Sequence, residues 1–175
     1  MPALKLLILD ANEVIYLHET GLWQAVLSRC EVYLARTVAE DEARFYRGSE
    51  ADEIIDLSDD ITQGRVKVFE RTITELKAFT DLFDPIYLAS LDPGEAESLA
   101  YLVQSKDAYL ISSGDAIVFR VLGLLNRSDQ GISLEEVLQK IGLGRSVAKQ
   151  YTKQFRERYA SEGEQDSIRG RGLKK

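Results

Sequence analysis

Short apolar runs alternate with amphipathic segments along most of the chain. Leu4-Lys5-Leu6-Leu7-Ile8-Leu9 is nearly continuous in apolar residues and stops at Asp10, the pattern of a strand buried on both faces of a parallel sheet. Thr20–Leu27 reads as a helix, Val32–Leu34 as a short strand, and the stretch from about Thr37 to Arg47 as a second helix. Residues 48–64 are polar and acidic and read as a loop around a short helix. Arg65–Phe69 alternates like a strand, and Thr72 with Glu75 opens a helix through a capping box. Asp92-Pro93-Gly94-Glu95 starts another, with Asp92 as cap, Pro93 in the first turn and Leu99, Leu102 and Val103 as its apolar face. Ala108–Ile111 reads as a strand and Asp115–Leu125 as a helix; Ser133 and Glu136 repeat the capping signature, and Gly142-Leu143-Gly144 breaks the chain. The last helix is expected over Ser146–Tyr159, where Val147, Tyr151, Phe155 and Tyr159 form a stripe that docks on its own domain. Alternating strands and helices predict an α/β domain with a mainly parallel sheet and helices on both faces.

Length adds the domain plan. A chain of 175 residues holds one ordinary domain and an appendage, not two full cores. The expected division is a main domain over 1–128, a helical extension over 129–160 and a basic, disordered tail over 161–175. No apolar run approaches the ~20 residues of a membrane span. The start, Met1-Pro2-Ala3-Leu4-Lys5, lacks the features of a signal peptide, so the expected location is cytoplasmic. Cys30 and His18 are the only residues of their kinds, which excludes an intramolecular disulfide and any metal site built from several cysteines or histidines. Cys30 reads as a small apolar residue at a helix end, His18 as an exposed loop residue and Trp23 as core.

The net charge of -7 hides an asymmetry, because from Lys140 onward 10 Lys and Arg face 4 Asp and Glu, against 12 and 25 before it. An acidic body disfavours non-specific binding of polyanions, but a bound divalent cation inverts that local logic. The tail residues Arg156, Arg158, Arg169, Arg171, Lys174 and Lys175 fit either recruitment of RNA or a solubilising end.

Ligands of open parallel sheets bind at the carboxyl ends of the strands. Asp10, Glu95 and Asp115 fall at such ends or at the helix starts beyond them, and Glu40-Asp41-Glu42 supplies a further acid. Carboxylates drawn together raise one another's pKa, and a hard divalent cation relieves the repulsion. A structural role competes at each position. Asp10 and Asp115 could simply cap helices, and Glu95 stands where a capping-box Glu belongs. Glu40, Asp41 and Glu42 point about 100° apart on a helix, so only one or two can face a cleft.

Four segments carry a family resemblance. Leu7-Ile8-Leu9-Asp10-Ala11-Asn12, Thr37-Val38 followed by Glu42, Gly94-Glu95-Ala96-Glu97-Ser98-Leu99-Ala100, and Tyr109 to Asp115 together resemble the four motifs of PIN-domain ribonucleases, in order, over residues 4 to about 125. The resemblance implies a PIN-like three-layer sandwich with a C-terminal helical basic extension. It implies a Mg2+- or Mn2+-dependent endoribonuclease that hydrolyses RNA to 5′-phosphate and 3′-hydroxyl ends. Asp10, Glu42, Glu95 and Asp115 would be catalytic, with Asp10, Glu95, Asp115, Asn12 and Glu97 at the metal. Relatives among the toxins of bacterial toxin-antitoxin pairs add an antitoxin protein and a homodimer as expected partners, besides the RNA substrate. Glu13 stands where the family has an apolar residue.

Three other readings compete. A haloacid-dehalogenase-like phosphatase needs a second Asp where Asn12 stands, and a response-regulator receiver needs a late Lys-Pro turn. A degenerate PIN-like module would bind RNA or protein without catalysis. On the nuclease reading, Asp10→Asn or Asp115→Asn is expected to abolish cleavage with folding nearly intact.

Overall fold

The structure, a computed structural model, describes residues 4–8 and 10–175; Leu9, expected as the strand's last residue, lies outside them. Its elements in chain order begin with β1 (Leu4–Ile8), α1 (Ala11–Glu19), α2 (Trp23–Leu27), β2 (Cys30–Ala35) and a π-helical turn at Thr37–Glu42. A hairpin of β3 (Phe45–Arg47) and β4 (Asp52–Ile54) follows, then α3 (Ser58–Thr62), β5 (Val66–Phe69), α4 (Ile73–Thr80), α5 (Pro85–Leu88) and α6 (Pro93–Gln104). Next come β6 (Leu110–Ser112), α7 (Ala116–Leu124), α8 (Leu134–Lys140) and α9 (Lys153–Ile168), with 3-10 turns at Ser128–Gln130 and Lys149–Tyr151.

The fold is α/β. Four strands pair in parallel in the order β5-β2-β1-β6. Leu6 is in register with Val32 on one side and Leu110 on the other, and Ile8 with Ser112. The chain steps outward from β1 to β2 to β5, then crosses back to place β6 on the other side of β1. Right-handed crossovers taken in opposite directions cover opposite faces of a sheet, an arrangement compatible with three layers. Reversal of the strand order between β1 and β6 also opens a crevice at their carboxyl ends. Apolar residues dominate the buried strand positions, with Leu6, Val32, Leu34 and Ile111 fully buried. No helix of the described residues is long and apolar enough to cross a membrane.

The capping signatures hold. Thr72 with Glu75 and Ser133 with Glu136 close reciprocal boxes, and the carboxylate of Glu95 accepts the Asp92 N–H at 3.0 Å. Elsewhere the elements differ from expectation. Helix begins at Ala11, because Asp10 caps it and Val14 and Leu17 bury one face; Gly21, at φ +69°, separates it from α2. The helix expected over 37–47 is a single π-helical turn, whose one buried residue is Val38, and Phe45-Tyr46-Arg47 instead pairs with Asp52-Glu53-Ile54 inside the expected loop. Cys30 is a buried strand residue in β2, not a helix end. His18 lies in α1, not a loop, half-buried and stacked on Trp23 with ring centroids 4.9 Å apart. Burial holds the His18 imidazole below its ordinary pKa. Trp23 is core as expected, and its Nε1 donates to Asp60 at 3.0 Å.

The largest correction concerns the C-terminus. Leu134, Val137, Leu138 and Tyr151 belong to the same apolar core as the sheet, so 129–160 is an integral part of it. The segment 161–175 is not disordered. Thr152 caps α9, and the helix runs to Ile168 against α7. A Cβ on Gly163 would collide with the Arg120 carbonyl, and one on Gly123 with that of Ala160. Two glycines thus allow the backbones of α7 and α9 to touch. Asp166 then receives Arg120 at 2.9 Å and the Tyr87 hydroxyl at 2.5 Å. Beyond the helix, Asp84 N–H donates to the Gly172 carbonyl and Lys174 N–H to that of Leu82, both at 2.9 Å. A sequence rich in Gly and charge reads as a tail, yet Gly163 and Gly172 are packing positions. Gly163→Ala is expected to lower unfolding stability by about 3 kcal/mol, the upper range for overpacking, in urea titrations. An exposed, disordered segment would show no change.

Candidate functional site

Three helix starts meet at the crevice between β1 and β6. Asp10 leaves β1 in extended conformation (φ -105°, ψ 152°) and caps α1, accepting the Glu13 N–H at 2.6 Å through Oδ1. Its Oδ2 reaches 103 residues along the chain to accept the Ser113 hydroxyl at 2.8 Å, and also the Gly114 N–H at 3.0 Å. Asp115 caps α7, accepting the Ile117 N–H at 3.1 Å, and is exposed. Its own N–H donates to the Ser113 hydroxyl at 2.9 Å. One serine therefore couples the two aspartates. Glu95 sits in the first turn of α6 with 2% of its surface exposed. One of its oxygens takes the Asp92 N–H, and the other, Oε1, is buried without a partner.

A cavity of about 370 Å³ collects these groups, lined by Asp10, Asn12, Glu19, Asp92, Glu95 and Asp115, with Tyr16, Gln150 and Tyr151 among the rest of its wall. Five carboxylates face it, and no Lys, Arg or His does. Four of the six sequence-predicted site residues, Asp10, Asn12, Glu95 and Asp115, thus come together. Glu42 lies beside them without lining the cavity. Its carboxylate approaches Gly94 at the start of α6, and burial, with Asp92, Asp10 and Asp41 nearby, raises its pKa. Glu40 pairs instead with Arg36 at 3.9 Å. Glu97 is not part of the cavity. Two residues beyond Glu95 it points about 200° around the helix, where it accepts the Arg71 N–H at 2.8 Å and the Thr37 hydroxyl at 3.2 Å.

Several wall residues escape sequence reasoning. Glu19 follows Asn12 by two helical turns, which places both on one face of α1; helix assignment at 11–19 is the signal that finds it. Asp92 reads as a cap and nothing more. Tyr16 and Tyr151 stack with centroids 4.6 Å apart, and a Cβ on Gly114 would meet the Tyr151 ring at 2.7 Å. The 3-10 turn carrying Gln150 and Tyr151 thus closes directly over the β6–α7 turn. Behind the wall lies Glu13, fully buried, with Oε1 accepting the Ser112 hydroxyl at 2.6 Å and Oε2 unpartnered.

Burial is the leading cause of an elevated pKa at two of these acids. Glu13 is pushed up to about 8, with Asp10 adding to the effect. Glu95 is also raised to about 8, the Asp115, Asp92 and Asp10 carboxylates acting with burial against the Asp92 N–H. Both shifts favour the protonated form at neutral pH, which limits repulsion in the cluster.

The donor set is all hard oxygen, suited to Mg2+ or Mn2+, and the orphaned Glu95 Oε1 is a coordination position not otherwise used. Among the described residues, no group of three or more His, Cys, Asp and Glu is gathered to hold a metal ion as the side chains stand. The capping bonds of Asp10 and Asp115 keep their carboxylates on the helix starts, so joint coordination requires side-chain rotation. No protein-family model, no curated protein and no solved structure matches the chain.

The two aspartates should respond differently to amidation. Asn is nearly as good a cap as Asp, so Asp115→Asn is expected to change stability by less than about 0.5 kcal/mol. The Asp10 carboxylate accepts three hydrogen bonds; in Asp10→Asn an amide NH2 replaces one of its oxygens and faces a donor, and about 1–3 kcal/mol is expected to be lost. The expectation of intact folding is thus revised for Asp10; equal urea midpoints for both variants would contradict the difference. Linkage gives a second outcome. A carboxyl whose folded pKa lies above its unfolded value stabilises at low pH, and that stability declines as pH rises from about 4.5 to about 8 at Glu13. Glu13→Gln is therefore expected to flatten the fall in stability over this window, as read by thermal melts from pH 4 to pH 9.

Proposed function

We propose that this chain is a PIN-like, metal-dependent endoribonuclease that hydrolyses RNA phosphodiester bonds at the acidic cavity between β1 and β6. The observation that carries the reading is the convergence of Asp10, Asn12, Glu95 and Asp115, three of them at helix starts, on a cavity with no basic side chain in its wall. The parallel sheet with order β5-β2-β1-β6 supports it, since the reversal point is where such sheets bind ligands.

Mg2+ or Mn2+, when bound, supplies Lewis acidity toward the scissile phosphate and an acidified water. Asp115 and Glu95 are the residues that would hold it, with Asp10 and Asn12 beside them and Glu42 at the edge. Glu95 would give up its proton to solvent in order to serve as a ligand, and the Ser113 and Gly114 donors hold Asp10 in place. Tyr16 and Tyr151 wall the cavity on the side of the C-terminal segment, limiting the approach of water from there.

One observation favours a second reading, the degenerate module without catalysis. The Asp10 carboxylate already accepts three hydrogen bonds from the protein, so its role is satisfied without a cation.

Calorimetric titration of Mn2+ at pH 7, with labelled RNA incubated in parallel, separates the two. Wild type is expected to bind Mn2+ with release of a proton, detected by repeating the titration in buffers of different ionisation enthalpy, and to cleave RNA only with metal. Asp115→Asn and Glu95→Gln are expected to lose cleavage by about 100-fold or more, beyond the roughly 10–100-fold cost of outer partners. Folded wild-type protein that binds no Mn2+ and leaves RNA intact would establish the binding module instead.

A further inference from the structure

A second cavity adjoins the acidic one and has the opposite electrostatic character. It measures about 710 Å³ and is lined by Lys149, Gln150, Thr152, Gln154, Phe155, Arg158 and Tyr159. No acid appears in this wall. Gln150 belongs to both walls, so the two cavities adjoin at that residue. The aromatic floor of the second cavity is fixed from below, with Phe155 edge-on to Phe119 at 6.4 Å and Tyr159 edge-on to Phe155 at 4.7 Å.

The cations of this groove are available. Lys149 is exposed and makes no ion pair among the described residues. Arg158 lies over the Tyr159 ring at 5.2 Å and meets only Glu162, at 3.2 Å, in an exposed i,i+4 pair, an interaction worth a few tenths of a kcal/mol and readily exchanged for a phosphate. Of the tail cations, Arg156 is committed to Glu136 at 2.7 and 2.9 Å, and Arg158 alone lines the groove.

We propose that this groove binds single-stranded RNA, one base stacking on Tyr159 and the adjoining phosphates held by Lys149 and Arg158, so that the strand runs past Gln150 into the acidic cavity. The observations select this ligand. Exposed cations beside a fixed aromatic floor match the alternating charge and flat faces of an unpaired strand; a duplex hides its bases, and an acidic peptide offers no face to Tyr159. The volume suits one or two nucleotides, within the roughly 300–1,000 Å³ of small-ligand sites. The acidic cavity alone repels a polyanion, and the groove supplies the attraction it lacks. The inference deepens the nuclease reading and rests on it for the direction of the strand, whereas binding itself does not depend on catalysis.

Fluorescence anisotropy with a labelled single-stranded RNA in EDTA, over a series of salt concentrations, tests it on the full chain. Lys149→Ala/Arg158→Ala is expected to weaken binding by about 10-fold or more and to reduce the salt slope by about 1.4, from roughly 0.7 per phosphate contact on single strands. Lys149→Arg/Arg158→Lys is expected to restore affinity. Tyr159→Leu is expected to lose about 10-fold with the salt slope unchanged, as for loss of one stacked base. Wild-type affinity in the double alanine variant would overturn the proposal, as would equal binding of an RNA duplex or a polyglutamate peptide. Adding Mn2+ separates this failure from failure of the nuclease reading. Binding that depends on these residues without cleavage removes the nuclease and leaves the groove; cleavage with affinity indifferent to them does the reverse.

Discussion

A single carboxylate bridges the turns that follow the paired strands β1 and β6. Asp10 ends β1, caps α1 and accepts hydrogen bonds from Ser113 and Gly114 after β6, across the point where the strand order reverses. Parallel strands that diverge there leave a crevice with exposed helix N–H groups on its walls, and those groups attract negative charge. The acids at this end of the sheet, Asp10, Asp92, Glu95 and Asp115, therefore have a structural reason to be present. The same geometry concentrates them until burial and mutual repulsion raise the pKa of Glu95. Helix capping and the proposed cation chemistry would thus compete for the same oxygens, and a cation held here would need Glu95 deprotonated and the capping carboxylates rotated.

The sheet was the most legible part of the sequence. The nearly continuous apolar run from Leu4 and the alternating Arg65–Phe69 mark strands, and Ser/Thr/Asp residues three positions before Glu mark helix starts. Those two signals place Asp10, Glu95 and Asp115 at strand or helix ends, and the topology brings them together. Pattern gave out where a residue's partner lies far along the chain. Nothing near Glu97 announces the Arg71 N–H that claims it, and nothing near Glu13 announces Ser112. Residues 37–47 read as one helix within the strand-helix alternation, whereas pairing of Phe45 with Ile54 places 45–47 in a strand. The C-terminus differs from the expected tail for a related reason: nothing near Gly163 announces the Arg120 carbonyl that needs its missing side chain.

The charge asymmetry of the sequence acquires a spatial meaning. The acidic body and the basic C-terminal region meet at Gln150, the residue shared by a cavity without cations and a groove without acids. Tyr151 brings the two regions into contact by packing on Tyr16 and against Gly114, so the C-terminal segment forms part of the wall of the site. In this account the extension completes the site instead of trailing from it.

The central claim is that the crevice between β1 and β6 is a divalent-cation site. Anomalous diffraction from crystals grown with Mn2+ tests it most directly. The account predicts a peak inside the cavity, within coordination distance of Glu95 and Asp115, with their carboxylates rotated toward it. An ordered cavity holding no peak, while Mn2+ binds elsewhere on the same molecule, would contradict it.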